Sequence, residues 1–230
     1  MAEVKHAPRT GESEVIVERA KNFWDQYGRV IMIVVGAIVV IVGGIIIYKN
    51  FVVAPKERKA MESLFKAEEY YRQDSLQLAL NGDGMNPGFE KVISQSGGTK
   101  AGNLAKFYAG SAYLKLGNFD KAINYLKGFS TDAKQIQQRA YKLLGDAYAE
   151  KGQPKEALNN YKKAAHEFEY DENASAEALF YGAYLADRVL NDKNEAVSLY
   201  KELKKNYPRT QYGFEADKYL AQAGVYTTEE

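Results

Sequence analysis

The hydrophobic pattern of the chain changes once, and sharply. Between Arg29 and Lys49 run 19 uncharged residues, VIMIVVGAIVVIVGGIIIY, thirteen of them Val or Ile. As a helix this run spans roughly 28 Å at about 1.5 Å per residue, close to the thickness of a bilayer's hydrocarbon core. Each Val or Ile at mid-membrane contributes roughly −0.3 to −0.6 kcal/mol, so thirteen give on the order of −4 to −8 kcal/mol before the glycines are discounted. In water a Val/Ile run favours a strand. In lipid its backbone groups find partners only within a helix. Beyond Pro55 the pattern becomes helix, turn, helix throughout, while about the first 12 residues are polar and without period.

The flanks of the apolar run support a membrane anchor. Trp24 and Tyr27 precede it, and Tyr48 and Phe51 follow it, as interfacial aromatics should. A cleaved signal peptide fits poorly: the run is too long, a tail of 29 residues precedes it, and no small-x-small site follows directly. Gly36, Ala37, Gly43 and Gly44 recur at i and i+7. They leave two small notches on one side where another helix could approach, or they are ordinary glycine usage in a membrane helix. Orientation is less decided. Arg19, Lys21 and Arg29 lie on one side, and Lys49, Lys56, Arg58, Lys59 and Lys66 on the other. Taken literally the charges favour a cytoplasmic C-terminus, although long domains cross membranes largely regardless of charge.

Two stretches beyond Pro55 repeat one another. Ala105–Phe129 and Arg139–Ala165 align with Gly110 on Gly145, Tyr113 on Tyr148, Gly117 on Gly152, Ala122 on Ala157 and Leu126 on Tyr161, every offset being 35 residues. Gly145 and Ala157 are expected where two antiparallel helices approach most closely, with Tyr148 and Tyr161 beside them. Gly152 is expected in the turn, where glycine accepts a positive φ. A third unit, Ala178–Pro208, places its small residues Ala183 and Ala196 13 rather than 12 apart, which predicts one extra turn residue near 191–193. Residues 60–80 and 89–93, separated by NGDGMNPG, read as a degenerate N-terminal helix pair, and 212–222 as a terminal cap. The resulting layout is a tail over 1–28, a membrane helix with its interfaces over 29–54, a degenerate repeat over 55–98, a repeat domain over 99–224 and a frayed end over 225–230.

Composition narrows the function. Lys and Arg total 31 against 30 acids, and residues 55–230 carry 25 of each. Nucleic-acid binding rests on clustered cations, so a balanced domain argues against it. The absence of cysteine removes disulfides, thiolate catalysis, Cys-ligated zinc and a lipidated anchor. Only His6 and His166 could serve as imidazole ligands or bases. The carboxylate clusters Glu68–Glu69, Glu167/Glu169 and Asp171–Glu172 sit at ordinary solvated helix positions rather than across a cleft, and the GDG and SGG turns lack the Lys-Ser/Thr of a phosphate loop. The expectation is a non-enzymatic protein with no cofactor and no metal.

Leu144, Gly145, Tyr148, Gly152, Ala157, Tyr161 and Ala164 resemble the tetratricopeptide-repeat (TPR) pattern, which covers roughly residues 100–222. The expected fold is therefore all-α: one N-terminal transmembrane helix, then a TPR solenoid of three to four helix pairs. First-helix positions expected to face its groove are Phe107, Tyr108, Ser111 and Lys115, then Lys142, Asp146 and Glu150, then Phe180, Tyr184 and Asp187. Phe107 and Ser111 stand where the Lys/Asn clamp of some TPR proteins would need Lys and Asn. The tail ending RAKNFWDQYGR, the single membrane helix, LFKAEEYY and a small repeat domain are together similar to YfgM-like ancillary subunits of the SecYEG translocon. That resemblance implies a bacterial inner-membrane protein with a cytoplasmic N-terminus and a periplasmic repeat domain. It also implies partnership with SecYEG, with a PpiD-like membrane-anchored chaperone and with unfolded secretory or outer-membrane clients. The segment YKELKKNYPRTQYGFEADKYLAQAG resembles repeats of outer-membrane assembly and Tol-Pal accessory proteins, which leaves an adaptor in envelope assembly or cell division as the alternative.

Overall fold

The structure is a computed structural model that describes residues 10–225, with side chains from residue 17. The expectations for the outermost residues of both termini lie outside that range. The chain divides into two units, Met1–Pro55 and Lys56–Glu230.

The first unit is helix α1, Thr10–Tyr48, followed by a π-helical turn at Lys49–Val53. The helix starts well before Val30. Residues 10–27 contain neither proline nor an internal glycine after Gly11, so nothing breaks it. Val40 is 74 % exposed and none of the apolar segment is covered by the chain. Among the described residues it is the one helix long and apolar enough to cross a membrane. Trp24 folds its indole over Gly28, where a Cβ would come within 3.2 Å of the ring. The π turn precedes Pro55, whose ring clashes with a carbonyl four residues back in a regular helix, and the wider turn relieves that crowding.

The second unit is a helical-repeat solenoid. Its elements are α2 (Ala54–Arg72, shared at its first turn with the unit boundary), α3 (Leu76–Asn81), α4 (Phe89–Ser96), α5 (Lys100–Lys115), α6 (Phe119–Lys127), α7 (Lys134–Glu150), α8 (Pro154–Glu167), α9 (Glu172–Arg188), α10 (Lys193–Asn206) and α11 (Gln211–Gln222). From α3 to α11 each helix packs on the next, with α5, α7, α9 and α11 also in contact in succession. The three full repeats are α5/α6, α7/α8 and α9/α10, and α11 covers the end.

One turn geometry recurs at the ends of the first helices. The amides of Asn118 and Gln153 donate to the carbonyls of Tyr113 and Tyr148, five residues back, at 2.9 and 2.8 Å. Gly117 and Gly152 take φ of 75° inside these rings, a left-handed conformation that costs glycine nothing. The third repeat closes a ring one residue larger, from the amide of Asp192 to the carbonyl of Ala186 at 2.9 Å. Asn191, at φ 54°, holds the left-handed position. The inserted residue therefore falls at Val189–Leu190, slightly earlier than its expected place. The same ring closes from Ser75 to Tyr70 with Asp74 at φ 56°. Residues 60–80 are thus not one helix. They are a first helix, a turn and a short second helix that resumes as α4 after the loop at 82–88. Asp adopts the left-handed region more readily than most residues and so substitutes for glycine here.

Packing follows the small positions. A Cβ on Gly110 would meet the Leu126 side chain at 2.5 Å and the Ala122 carbonyl at 3.2 Å. A Cβ on Gly145 would meet the ring of Tyr161 at 2.7 Å. Gly145 thus makes room for the Tyr161 ring, as Gly110 does for Leu126. Side chains cap the helices: Thr99, Asn118, Asp171, Asp192 and Thr210 each accept an amide hydrogen bond at the N-terminus they precede. Glu57 provides a cap from a distance, its carboxylate accepting from the amides of Lys100 and Ala101 at 2.9 and 2.8 Å, where the dipole of α5 favours an anion. The degenerate repeat is locked to the first full one at Glu90, whose Oε1 accepts from Tyr113 at 2.5 Å, Lys121 at 3.1 Å and Tyr125 at 3.2 Å. Burial pushes the Glu90 carboxyl up, but the Tyr113 and Lys121 hydrogen bonds and the Lys121 charge outweigh it. The group is held below its ordinary 4.5.

Replacing Gly145 with Leu forces the Tyr161 ring out of its seat and should cost about 1–3 kcal/mol or more. Thermal or urea unfolding measures this, and a change within about 0.5 kcal/mol, typical of neutral surface positions, would contradict the packing described. Glu90 supplies a pH test. A carboxyl lowered in the folded state contributes stability above its unfolded value of 4.5 and loses it as the pH falls through the folded value. Acid melting curves of Glu90→Gln should therefore be flatter than those of the parent below about pH 4.5, and less stable than the parent at neutral pH.

Candidate functional site

Because the first helices contact one another in succession while α6, α8 and α10 do not, the first helices form the inner layer of the solenoid. A groove of about 840 Å³ opens along them. Its floor is Tyr71 of α2 with Phe107, Tyr108 and Ser111 of α5. Its walls are Gln138, Arg139 and Lys142 of α7, Asp171, Asn173 and Glu177 at the start of α9, and Tyr212 at the start of α11.

The floor is held rigidly. Tyr108 stacks on buried Phe89 at 5.5 Å between ring centres and 10° between planes, and Phe107 packs against Tyr108 and Phe129. Tyr71 shares a 2.8 Å hydrogen bond with Ser111 and meets Tyr108 edge-on. Burial raises the phenol pKa of Tyr108, and takes that of Tyr212 up to about 12. Both therefore act as neutral, hydrogen-bonding aromatics across the physiological range. On the wall, Lys142 pairs with Asp146 at 3.1 Å and Glu177 at 3.5 Å, and lies over the Tyr181 ring. Burial alone would lower its pKa, but the two carboxylates reverse the sign. Arg139 is exposed and makes no ion pair among the described residues. Gln138, 2 % exposed, donates to Ser175 Oγ at 3.0 Å and to the Phe168 carbonyl at 3.3 Å, tying α7 to the start of α9.

Of the residues expected to face the groove, Phe107, Tyr108, Ser111 and Lys142 do so. Phe180 does not, and this is a correction. It is 8 % exposed, within 5.1 to 6.4 Å of the rings of Tyr184, Tyr200, Tyr212 and Tyr219, because α11 covers that side of α9. The others lie outside the groove lining. Lys115 reaches back to Asp74 at 3.1 Å and over the Tyr71 ring. Asp146 accepts from the buried Tyr161 hydroxyl at 2.9 Å. Glu150 is exposed at the end of α7. Tyr184 is 43 % exposed and stacked on Phe180. Asp187 binds Arg188 and Lys193 around the third turn. The groove runs along the early turns of α7 and α9, whereas Asp146, Glu150, Tyr184 and Asp187 belong to their later turns. Gly36, Gly43 and Gly44 on α1 have open space where a Cβ would stand, and Ala37 is exposed.

Tyr71, Arg139, Glu177 and Tyr212 were not anticipated. Arg139 and Glu177 sit three residues before Lys142 and Phe180, so extending each helix face by one turn toward its N-terminus would have found them. Tyr71 required recognising Asp74 as a turn residue. The candidate carboxylate clusters serve local roles: Asp171 caps α9, Glu167 pairs with Lys134 at 2.6 Å and Glu68 lies 3.9 Å from Arg72. No group of three His, Cys, Asp or Glu side chains that could hold a metal occurs among the described residues.

The family model for the tetratricopeptide repeat matches residues 104–132 and 177–210. These are the α5/α6 and α9/α10 pairs, and the α7/α8 pair between them has the same small residues and the same turn. The fold is a TPR solenoid preceded by one long apolar helix, and its class is a scaffold for protein–protein interaction. Among curated proteins, none matches the chain.

Proposed function

We propose that the protein is a membrane-anchored TPR scaffold whose groove holds an extended segment of a protein partner. The observation that carries this is the groove itself, with an aromatic floor fixed by stacking and a wall of mixed charge in which Arg139 has no ion pair among the described residues. Rigid aromatics supply contact area at little entropic cost, while polar groups at the rim fix register. The apolar segment of α1 between Arg29 and Lys49, uncovered by the rest of the chain, supplies the anchor.

The finer reading rests on the resemblance of the tail, the apolar helix and LFKAEEYY to YfgM-like subunits. In it α1 docks beside SecYEG through Gly36, Ala37, Gly43 and Gly44, and the repeats hold a PpiD-like chaperone or emerging secretory chains. Arg139→Glu tests the groove with little risk to the fold, because the side chain is exposed. Co-purification of the chaperone or of clients from gently solubilised membranes should fall clearly, at an unchanged melting temperature. Undiminished recovery would place the contact on another surface. Capture of outer-membrane assembly or Tol-Pal components in place of SecYEG would favour the adaptor reading.

The same reading places Lys5 in the cytoplasm and Glu230 in the periplasm, against the flanking charges. Alkaline phosphatase fused after Glu230 should be active. An inactive phosphatase, together with a fluorescent cytoplasmic reporter at that site, would reverse the orientation.

A further inference from the structure

Helix α7 borders open space on two sides. Gln138, Arg139 and Lys142 line the groove. On the opposite face Gln137, Ala140, Tyr141, Leu144 and Tyr148 border a separate hollow of about 360 Å³ between α6 and α8. The hollow exists because α6 is short. It ends at Lys127 after 9 residues, where α8 and α10 run for 14. Gly128, Ser130, Thr131 and Asp132 are turn formers that do not continue it. Phe129 among them turns inward onto Phe107 and is buried. In the third repeat the matching positions of the first helix are Ser175, Ala178, Leu179 and Ala186, all buried to 1 % or less. In the second repeat, behind the short α6, Tyr141 and Tyr148 stay partly exposed.

Two amides at this hollow depart from the repeat pattern. Asn160 stands where the first and third repeats carry Tyr125 and Leu199, and Gln137 where they carry Gly102 and Ser175. Both are more than nine-tenths buried. A main-chain partner fixes the orientation of each. Gln137 Oε1 accepts from the amide of Thr131 at 3.0 Å, which leaves the N–H groups of its Nε2 without a partner among the described residues. Asn160 Nδ2 donates to the carbonyl of Glu156 at 2.8 Å, which leaves its Oδ1 without one. Both residues border the hollow, and neither free atom is sealed from solvent.

A free donor on α7 and a free acceptor on α8 are the complement of one peptide unit, which offers a carbonyl and an N–H. A helix inserted here could not use them, because its own main-chain groups are bonded internally. An extended segment can. Tyr141, Leu144 and Tyr148 offer its side chains apolar contact. Lys127, Lys163 and Glu156 at the rim carry both signs of charge, so selection rests on hydrogen bonding rather than on net charge.

We propose that this hollow is a second binding site, on the face of α7 away from the groove, that takes the main chain of an extended protein segment through Gln137 and Asn160. The inference stands apart from the groove and does not depend on it.

Random peptides displayed on phage are selected on the full chain in lipid nanodiscs, then measured singly by fluorescence polarisation. One class should bind Arg139→Glu as well as the parent and bind Asn160→Leu about tenfold more weakly, the worth of one hydrogen bond. Leu is the residue of the third repeat at this position, and the melting temperature reports whether the fold is kept. A second variant leaves the core untouched. Lys163→Cys, on the rim of a chain without cysteine, should exclude the same peptides once it carries a bulky maleimide. Methylating one peptide nitrogen of the ligand should weaken binding to the parent by about the same factor, with no further loss in Asn160→Leu. Peptides that fail on Arg139→Glu but ignore both Asn160→Leu and the maleimide overturn the second site and leave the groove standing. Peptides that need Asn160 yet tolerate methylation at every nitrogen assign the hollow to a side chain and overturn the main-chain contact. Recovery of no binding peptide overturns both sites.

Discussion

Close approach of antiparallel helices at alanine and glycine is the constraint on which the repeat domain rests. Ala109, Ala112, Ala122, Ala147, Ala157, Ala164 and Ala183 have no exposed surface. Without larger side chains between them the helices settle at short range, which multiplies dispersion contacts that are individually small. The arrangement demands turns that reverse the chain in three or four residues, and the left-handed residue at Asp74, Gly117, Gly152 and Asn191 meets that demand. It also leaves space at the flanks of each contact, which the tyrosines fill. Their hydroxyls then need partners. Tyr113 finds Glu90 and Tyr161 finds Asp146, whereas the Tyr200 hydroxyl is buried without one among the described residues, a cost that its stacking on Tyr219 at 5.0 Å offsets.

The same geometry creates the groove. First helices that touch in succession form an inner layer, and the second helices stand outside it. Early turns of α7 and α9 thereby come together over the floor made by α5, although they are distant in sequence. Aromatic contact area, amide groups and both charge signs meet along one surface. Among the clustered carboxylates, Asp171 caps α9, Glu69 and Glu167 pair with Lys66 and Lys134, and Glu68 lies beside Arg72.

The character of the chain changes around Pro55. Upstream, Val and Ile face outward on every side of the apolar segment of α1. Downstream, α2 turns one apolar stripe into the domain and keeps another, flanked by cations, outside it. Within the repeat unit, Glu57 caps α5 and so ties the first turn of α2 to that helix.

The sequence by itself determined the apolar helix, the repeat length, the turn glycines and the extra residue in the third turn, because each depends on local spacing. The Gly110, Gly145 and Ala183 positions were legible for the same reason. The break at Asp74 was not, since its left-handed conformation carries no glycine to announce it. Tertiary structure alone decided which faces remained open. Phe180 carries the same helical phase as its counterparts, yet it is buried because α11 happens to lie across it. Arg139 lies on the groove because neighbouring helices bring its turn there, and Asp146 is diverted to the Tyr161 hydroxyl by a ring that Gly145 admits. Exposure is a property of what packs against a residue, and that partner stands tens of residues away in the chain.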